Sequence, residues 1–575
     1  MHTLDQDPAL PSARDWTGLA PVPWNAWDHL TPPPLGGWSP SERVSVVLPC
    51  YRAQAELERT VAALAVQSYP RELTEVLVVD DGSDPPILAP ASGTGLDLRV
   101  LRQPRDGFGA ARARNLGAGA AKGSILVFLD ADMIPDREHL EAHARWHHVC
   151  PYAVTLGPRR HVAVDDLTPD RIGTAVASER GMAGLLHGRP QEVPAWLEAH
   201  YRRTDGLRGA HDDLFRVVTS GNLGIGAATF AQVGGFDASF DRWGGEDTEL
   251  GYRLFTAGGL LVPEPAARCW HQGTGHEPSV EELRSLDEQR ARLAHLIAHR
   301  GFRRLTRGRS YAVPRVVVEI TVADARREHV VATVESLLAA ELSDLLVHVP
   351  VPEDHPQRDW LHHHLDGDPR IRLAGGGLPD AAPVRARIPA GVLLPPPALD
   401  RLLAELADVS EPVGLVEVTV PGRDPRQARV QVWLTRAVAR LRAAGKADQP
   451  DAVAELYGGR WVSGYELGLR DVEVVPGELS VPDAAARDRA GDGQQEALEL
   501  WSSLGRLPAA QRRAVLAAAR QAVTTMRPRE LEVLLRLAST ALRVRRSLAR
   551  LRPRRAVGSP RRRVVRLPKR MRTTV

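Results

Sequence analysis

Residues 44–80 decide the fold class, and they read VSVVLPCYRAQAELERTVAALAVQSYPRELTEVLVVD. Residues 44–49 and 75–80 are short, nearly continuous apolar runs, a pattern typical of strands that are buried on both faces of a sheet. Between them, residues 55–67 carry apolar side chains at helical spacing. A strand, a helix and a second buried strand predict a parallel pair, because parallel strands need a long crossover connection.

The same alternation continues along the chain. Residues 98–101 and 124–130 predict two more strands, and the Gly- and Ala-rich residues 110–121 predict a helix between them. Repeated strand and helix units predict an α/β fold of the doubly wound, Rossmann-like class with a mostly parallel sheet. Ligands bind at the carboxyl ends of the strands in such sheets, so we expect the loops after these strands to form one crevice.

The composition excludes disorder of the whole chain. The 575 residues are 43% hydrophobic and 25% charged, which is ordinary for a globular protein and predicts two to four domains. No apolar run approaches the length of a membrane span, and the first residues lack the order of a signal peptide. The three cysteines lie far apart, without disulfide or zinc spacing, which favours a reducing cytoplasm.

Charge is distributed unevenly. The chain has a net charge of +3, yet residues 541–575 contain 14 Lys and Arg and no acid, which leaves −11 for the first 540 residues. This basic segment lacks the interleaved aromatics of a nucleic-acid surface, so we expect no specific nucleic acid. Contact with anionic lipid headgroups at the inner face of the membrane is the better hypothesis.

The predicted organisation has five parts. Residues 1–40 form a Pro- and Trp-rich arm whose aromatics dock on the body, residues 41–305 form the first α/β domain, and residues 312–475 form a second domain. Residues 495–551 are predicted to be helical, and residues 552–575 to be a basic, disordered tail. The second domain echoes the first without its carboxylate motifs, which indicates a degenerate copy; an unrelated α/β domain is the alternative.

The loop at residues 130–132 follows a buried strand and contains two aspartates. Asp130 and Asp132 can face one cation there, and oxygen ligands shared with phosphates suit Mn²⁺ or Mg²⁺. A solvated loop with a helix-capping aspartate is the competing interpretation.

Two further segments predict contacts with a nucleotide. Asp80 and Asp81 end the second strand, where a carboxylate can accept a hydrogen bond from a base, although an Asx turn would use the same residues. Arg112 and Arg114 lie in a helix start that could approach phosphate, and surface charge is the alternative for either.

The segment at residues 243–254 combines two glycines with adjacent acids that open a helix. Glu246 and Asp247 meet the positive end of the helix dipole, which keeps them ionised and places one of them as a general base. Helix capping alone would also explain them.

Several histidines carry weaker patterns. His139, His143 and His147 fall on one helix face, which favours an ordinary helix covering the sheet over a metal site, since no further ligand is evident. Residues 362–364 are expected to lie in a solvated loop.

The ordered motifs resemble those of GT-A-fold, family-two glycosyltransferases. They occur over residues 43–275, and the resemblance is strongest to the subset of chondroitin polymerases and polypeptide N-acetylgalactosaminyltransferases. The motifs are residues 49–51, 79–83, 113–117, 130–132, 234–237 and 244–247.

The resemblance implies a role for each matching residue. Pro49, Tyr51, Asp80 and Asp81 would border the nucleotide, with Asp130 at the ribose and metal. Asp132 and His271 would be metal ligands.

On the acceptor side, the resemblance places Glu246 and Asp247, with Asp247 preferred as catalytic base. Trp243 and Trp270 would form walls that stack on sugar, with burial in the core as an equal alternative for each. It also implies a single displacement that inverts the anomeric carbon.

The leading hypothesis is therefore a cytoplasmic, metal-dependent glycosyltransferase. It would transfer a hexose or N-acetylhexosamine from a nucleotide sugar, UDP being the preferred nucleotide, to a glycan or lipid-linked acceptor, as in cell-surface polysaccharide synthesis. A noncatalytic carbohydrate- or partner-binding protein on the same fold is the alternative. A nucleotidyltransferase is a third candidate, which the acidic pair at residues 246–247 disfavours.

Overall fold

The computed structural model describes residues 21–90, 95–273, 279–303, 308–322, 325–373, 378–424, 428–446 and 450–472. All of them belong to one compact unit, Met1–Val475. The predicted helical segment 495–551, the basic tail 552–575 and the lipid contact proposed for residues 541–575 lie outside the described residues. In the part of the chain that is described, no helix combines the length and apolarity needed to cross a membrane.

The first half, residues 21–303, alternates strands and helices. Its strands are β1 (Val44–Cys50), β2 (Thr74–Asp80), β3 (Asp97–Arg102), β4 (Ile125–Leu129), β5 (Met133–Pro135), β6 (Ala153–Leu156), β7 (Arg159–Val162), β8 (Asn222–Gly226), β9 (Leu260–Pro263) and β10 (Cys269–Gln272). Its helices are α1 (Gln54–Leu64), α2 (Ala110–Gly119), α3 (His139–His147), α4 (Pro169–Ala177), α5 (Gly181–Leu185), α6 (Ala195–Arg203), α7 (Ala227–Gln232), α8 (Glu246–Thr256) and α9 (Val280–Leu296).

The main sheet of this half has the strand order β3-β2-β1-β4-β8-β6-β9. The neighbours of β1 are both parallel to it, whereas β8 runs antiparallel to β4 and β6. β2 and β4 are buried along their whole length, because helices cover both faces of the sheet. The predicted α/β class with a mostly parallel sheet is confirmed.

A small second sheet, β5-β10-β7, lies beside the main one. β10 pairs antiparallel with β5, with His271 opposite Met133, and parallel with β7, with His271 opposite His161. Strands that are far apart in the sequence are thereby joined next to the loop after β4.

The second half, residues 308–472, contains another large sheet. Its strands are β11 (Val316–Thr321), β12 (Leu345–His348), β13 (Ile371–Arg372), β14 (Val384–Pro389), β15 (Val392–Leu393), β16 (Leu415–Thr419), β17 (Arg429–Leu434), β18 (Gly459–Ser463) and β19 (Arg470–Asp471). Its helices are α10 (Arg327–Leu338), α11 (Arg358–Leu365), α12 (Ala398–Leu406), α13 (Thr435–Ala443), α14 (Pro450–Tyr457) and α15 (Gly464–Leu467).

The two large sheets have the same topology. The second has the order β13-β12-β11-β14-β17-β16-β18, which repeats the first sheet strand for strand. The directions also agree, since β17 runs antiparallel to β14 and β16, and β18 runs parallel to β16. A short β15–β19 pair takes the place of the β5–β10 pair. The limits assigned to the two domains stay predictions.

The predictions for the two histidine-rich segments differ in their outcome. α3 covers the sheet as expected, and its His139 and His143 both hydrogen-bond Asn222 Oδ1, each at 2.9 Å. The prediction of a loop at residues 362–364 was wrong, because these residues lie in α11, where His364 stacks on Trp360 with the ring centroids 4.6 Å apart. Trp360 and His364 are four residues apart, so their rings meet on one face of the helix and stabilise it. The run of three histidines had suggested a loop.

Arg440 of α13 joins the two halves and the N-terminal arm. Its guanidinium is buried and donates to the carbonyls of Gly258 and Gly259, each at 2.8 Å. It also donates to the carbonyls of Val22, at 3.1 Å, and Trp24. One side chain therefore satisfies four main-chain oxygens from two separate segments.

We expect Arg440→Met to lower the free energy of unfolding by about 3–4 kcal/mol, because methionine leaves those buried carbonyls without a donor. Chemical denaturation followed by tryptophan fluorescence measures this change. Arg442→Met is the matched control, since Arg442 is an exposed residue of the same helix. Equal losses in both variants would show that Arg440 does not hold the halves together.

Candidate active site

A crevice of about 810 Å³ opens at the carboxyl ends of β1, β2 and β4. The loops after these strands meet there with the start of α8 and with β10. The predicted site residues that line it are Pro49, Tyr51, Asp81, Arg114, Asp130, Asp132, Trp243, Glu246, Asp247 and His271. Asp80, Arg112 and Trp270 are not part of this lining.

One end of the crevice is formed by Tyr51, Asp81 and Arg105. The Arg105 guanidinium lies over the Tyr51 ring, 3.7 Å from its centroid, and also pairs with Asp81. Asp81 accepts further hydrogen bonds from Gln103 Nε2, at 2.7 Å, and from the amide of Gly109, at 3.0 Å. Arg105 was not predicted, although it follows β3, the one strand whose loop received no role in the sequence analysis.

Asp80, expected at the nucleotide, holds the turn after β2. Its Oδ1 accepts the amide of Ser83 at 2.8 Å, and its Oδ2 accepts the amide of Ile87 at 3.3 Å. The side chain is buried beneath the loop. Of the two adjacent aspartates, Asp80 therefore makes the Asx-type turn and Asp81 faces the crevice.

The centre of the crevice is built around Arg114, a buried residue of α2. Its Nη2 donates to Asp130 Oδ1 at 2.8 Å, and its Nη1 donates to Glu246 Oε1 at 3.3 Å. The same Nη1 lies 3.9 Å from Asp247 Oδ1. One guanidinium thus faces carboxylates from the loop after β4 and from α8, and their charges raise its pKa despite burial.

Arg112 lies two residues before Arg114 but takes a different environment. It contacts Asp106, through the main-chain oxygen and at 4.0 Å from the carboxylate, on the outside of α2. Residues two apart on a helix point in different directions, so only one of the two predicted arginines can face the crevice.

The acids at the start of α8 owe their position to the preceding glycines. Gly244 and Gly245 have backbone φ values of 97° and 98°, which residues with a Cβ rarely adopt. The chain can therefore reverse sharply and begin α8 at Glu246, inside the crevice. Asp247 follows, and its Oδ1 accepts a hydrogen bond from the Ser220 hydroxyl.

Glu246 has an unusual environment for a carboxyl group. Burial, followed by the neighbouring charge of Asp247, raises its pKa to about 7, and Arg114 acts in the opposite direction. Glu246 and Asp247 also differ in exposure, since the side chain of Asp247 is 29% exposed and that of Glu246 is 8%. Asp247 is the more accessible carboxylate.

Asp132 and His271 form a second polar pair in the crevice. Their nearest atoms, Asp132 Oδ2 and His271 Nε2, are 3.3 Å apart. Burial and then the neighbouring His161, whose ring centroid is 4.3 Å away, lower the pKa of His271 to about 4, so its imidazole is neutral at pH 7. His161 was missed in the sequence analysis, because only strand pairing between β7 and β10 brings it there.

The donor set of this pair fits a divalent cation. Asp132 Oδ1 and His271 Nδ1 are buried, and neither has a hydrogen-bond partner among the described residues. Within the described ranges no three His, Cys, Asp or Glu side chains form a complete cation site, and Asp130 Oδ1 is bonded to Arg114. A carboxylate and a neutral imidazole that leave the remaining positions to phosphate and water suit Mn²⁺.

The aromatic walls differ from the prediction. Trp270 was expected to stack on sugar, but it is buried and donates from Nε1 to Asp136 Oδ1 at 2.8 Å. Successive residues of a strand face opposite sides, so Trp270 points to the core and His271 to the crevice. Trp243 lines the crevice and is 41% exposed. Trp196 of α6 lines it too, is 51% exposed, and was not predicted.

Two family models match the residues that build this crevice. Glycosyl transferase family 2 matches residues 45–192, and the N-terminal domain of galactosyltransferase matches residues 214–268. Together they include the loops after β1, β2 and β4 and the start of α8. The resemblance inferred from the motifs is confirmed.

Curated relatives agree with these matches. Chondroitin synthase of Escherichia coli is 27% identical over 347 residues, 57% of this chain and 50% of that protein. Validoxylamine A glucosyltransferase of Streptomyces hygroscopicus subsp. limoneus is 31% identical over 274 residues, 44% of this chain and 56% of its own. Polypeptide N-acetylgalactosaminyltransferase 16 of Homo sapiens is 28% identical over 249 residues, 42% of each. The chain thus spans about half the length of these three relatives.

Proposed function

We propose that this chain, whose residues 45–192 form a glycosyl transferase family 2 domain, transfers a hexose or N-acetylhexosamine from a nucleotide sugar to a hydroxyl group of a glycan or lipid-linked acceptor. We further propose a UDP sugar as donor, Mn²⁺ or Mg²⁺ as cofactor and cell-surface polysaccharide synthesis as the setting. The observation that carries the proposal is the crevice in which Arg114 holds three carboxylates beside the Asp132 and His271 pair.

The donor would bind between the Tyr51 end of the crevice and the Asp132 and His271 pair. Tyr51 and Asp81 offer an aromatic face and a carboxylate to the nucleoside, and Arg105 brings a positive charge beside them. Asp132 and His271 would hold the cation, which, when bound, offsets the negative charge of the diphosphate leaving group. Arg114 fixes Asp130 next to this pair through its 2.8 Å hydrogen bond.

The acceptor would bind beside Asp247. Ser220 donates to Asp247 Oδ1, which leaves Oδ2 to accept the proton of the acceptor hydroxyl. As the oxygen of the acceptor hydroxyl forms a bond to the anomeric carbon, the bond from this carbon to the diphosphate oxygen breaks. The electron pair of the broken bond leaves with the nucleoside diphosphate. Attack opposite the leaving group inverts the anomeric configuration, which the family resemblance also implies.

Release of nucleoside diphosphate from UDP, GDP and dTDP sugars with Mn²⁺ tests the proposal. One donor should give metal-dependent release, and Asp132→Ala should reduce it by about 10²-fold or more, since the cation loses a ligand. Asp165→Ala serves as control, because Asp165 is exposed and lies outside the crevice. Absence of both release and Mn²⁺-dependent nucleotide binding would favour the noncatalytic carbohydrate- or partner-binding alternative.

Trp196 is expected to contribute to acceptor binding. Its exposed indole lines the same crevice as Trp243, a placement that suits stacking on a sugar ring. Trp196→Ala should raise the KM for the acceptor by about tenfold while leaving the acceptor-independent hydrolysis of the donor unchanged. Trp360→Ala, which removes a half-exposed indole in the second half, is the control. An equal loss of donor hydrolysis would assign Trp196 to the donor instead.

A further inference from the structure

The second sheet has a position that corresponds to Asp132. Val44 of β1 pairs with Ile125 of β4, and Val316 of β11 pairs with Val384 of β14 in the same parallel geometry. Counting the same distance along β4 and β14 leads from Asp132 to Gly391, each directly before a short strand, β5 or β15. The second half therefore has Gly391 where the first half has the proposed cation ligand.

The partner strand gives the counterpart of His271. In the first half Met133, the first residue of β5, pairs with His271 of β10. In the second half Val392, the first residue of β15, pairs with Asp471 of β19 in the same antiparallel manner. Two independent registers thus match the pair Asp132 and His271 to the pair Gly391 and Asp471.

The side chain of Arg423 lies between these two positions. Its Nε and Nη2 donate to the two oxygens of Asp471, at 2.5 and 2.8 Å, and Nη2 also donates to the carbonyl of Ala390 at 3.1 Å. A Cβ on Gly391 would lie 2.5 Å from Nη2, and φ there is +91°. No aspartate fits at Gly391 while Arg423 keeps this position.

We infer that the Arg423 guanidinium takes the place of the divalent cation in the second half, so that, within the residues the structure describes, the cation-dependent donor site lies in the first half. The positive charge that a cation would bring is supplied by a side chain whose Nε and Nη2 donate to Asp471 and Ala390. This inference rests on the proposed function for the meaning of the first site. Its consequence is that the described part of the second half should bind no nucleotide-sugar donor through a cation.

Counting bound Mn²⁺ tests the inference on the full chain. Electron paramagnetic resonance with Mn²⁺ and UDP should give one tightly bound ion per chain, none in Asp132→Ala and one in Asp471→Ala. A second ion in the unmodified chain, or one ion retained in Asp132→Ala, would overturn the inference. If neither the unmodified chain nor either variant bound Mn²⁺, the result would contradict the proposed function and not the placement of Arg423. A second measurement tests that placement.

Thermal unfolding provides that second measurement without metal. Gly391→Ala should lower the midpoint by roughly 3–6 °C, because the added Cβ meets Nη2 and φ is unfavourable. Adding Arg423→Ala should then cost less in the Gly391→Ala chain than in the unmodified chain, because in the Gly391→Ala chain it also removes the collision. Strictly additive losses would show that Arg423 does not occupy the space beside Gly391.

Discussion

Asp247→Asn should lower kcat by about 10³–10⁴-fold, because the amide cannot accept the acceptor's proton at neutral pH. Asparagine has nearly the shape of aspartate and keeps an oxygen for the Ser220 hydroxyl, so the fold and the position of α8 should be retained. The KM for the donor should change little, since the donor is proposed to bind on the other side of Arg114. Initial rates at saturating donor and acceptor, with thermal unfolding in parallel, measure both expectations.

Two variants separate the role of Asp247 from its neighbours. Asp241→Asn removes an exposed carboxylate from the loop before α8 and should leave kcat unchanged. Glu246→Gln should reduce the rate less than Asp247→Asn does, because Glu246 is buried against Arg114. If Glu246→Gln abolished turnover and Asp247→Asn did not, the general base would be Glu246.

The bounds of the strands in the first half could be predicted closely where the local sequence alone determines them. β1, β2 and β4 begin and end within one residue of the predicted runs, because buried parallel strands are continuous apolar stretches between turn residues. β10 could not be recognised in this way. Its existence depends on pairing with β5 and β7, which are far away in the sequence, and the facing of Trp270 follows from that pairing.

The same limit applies to the candidate site. Loops after buried strands identify which residues approach the crevice, but not which way each side chain points. Asp80 and Asp81 are adjacent, and only hydrogen bonds to the amides of Ser83 and Gly109 decide that one holds a turn and the other faces the crevice. Arg105 and Trp196 escaped prediction for the opposite reason, since neither belongs to a motif and only the folded chain brings them to the site.

Arg114→Met should lower kcat/KM by about 10³-fold and the free energy of unfolding by about 3–5 kcal/mol. The reason is that Asp130, Glu246 and Asp247, which come from two separate parts of the chain, would face one another without a cation. Arg112→Met is the matched control, because Arg112 belongs to the same helix but lies outside the crevice. Similar losses in the two variants would mean that Arg114 acts only through the packing of α2.

The stability loss of Arg114→Met should also depend on pH. Burial holds the folded pKa of Glu246 above its ordinary value of 4.5, and Arg114 limits that rise. Without Arg114 the folded pKa goes higher still, so above pH 7 the unfolded chain has released a proton that the folded variant retains, and stability falls further as the pH rises. The difference in unfolding free energy between the variant and the unmodified chain should therefore be larger at pH 9 than at pH 6. Adding Glu246→Gln should remove this growth, and a difference that stayed constant with pH in the single variant would show that Arg114 does not control the charge of Glu246.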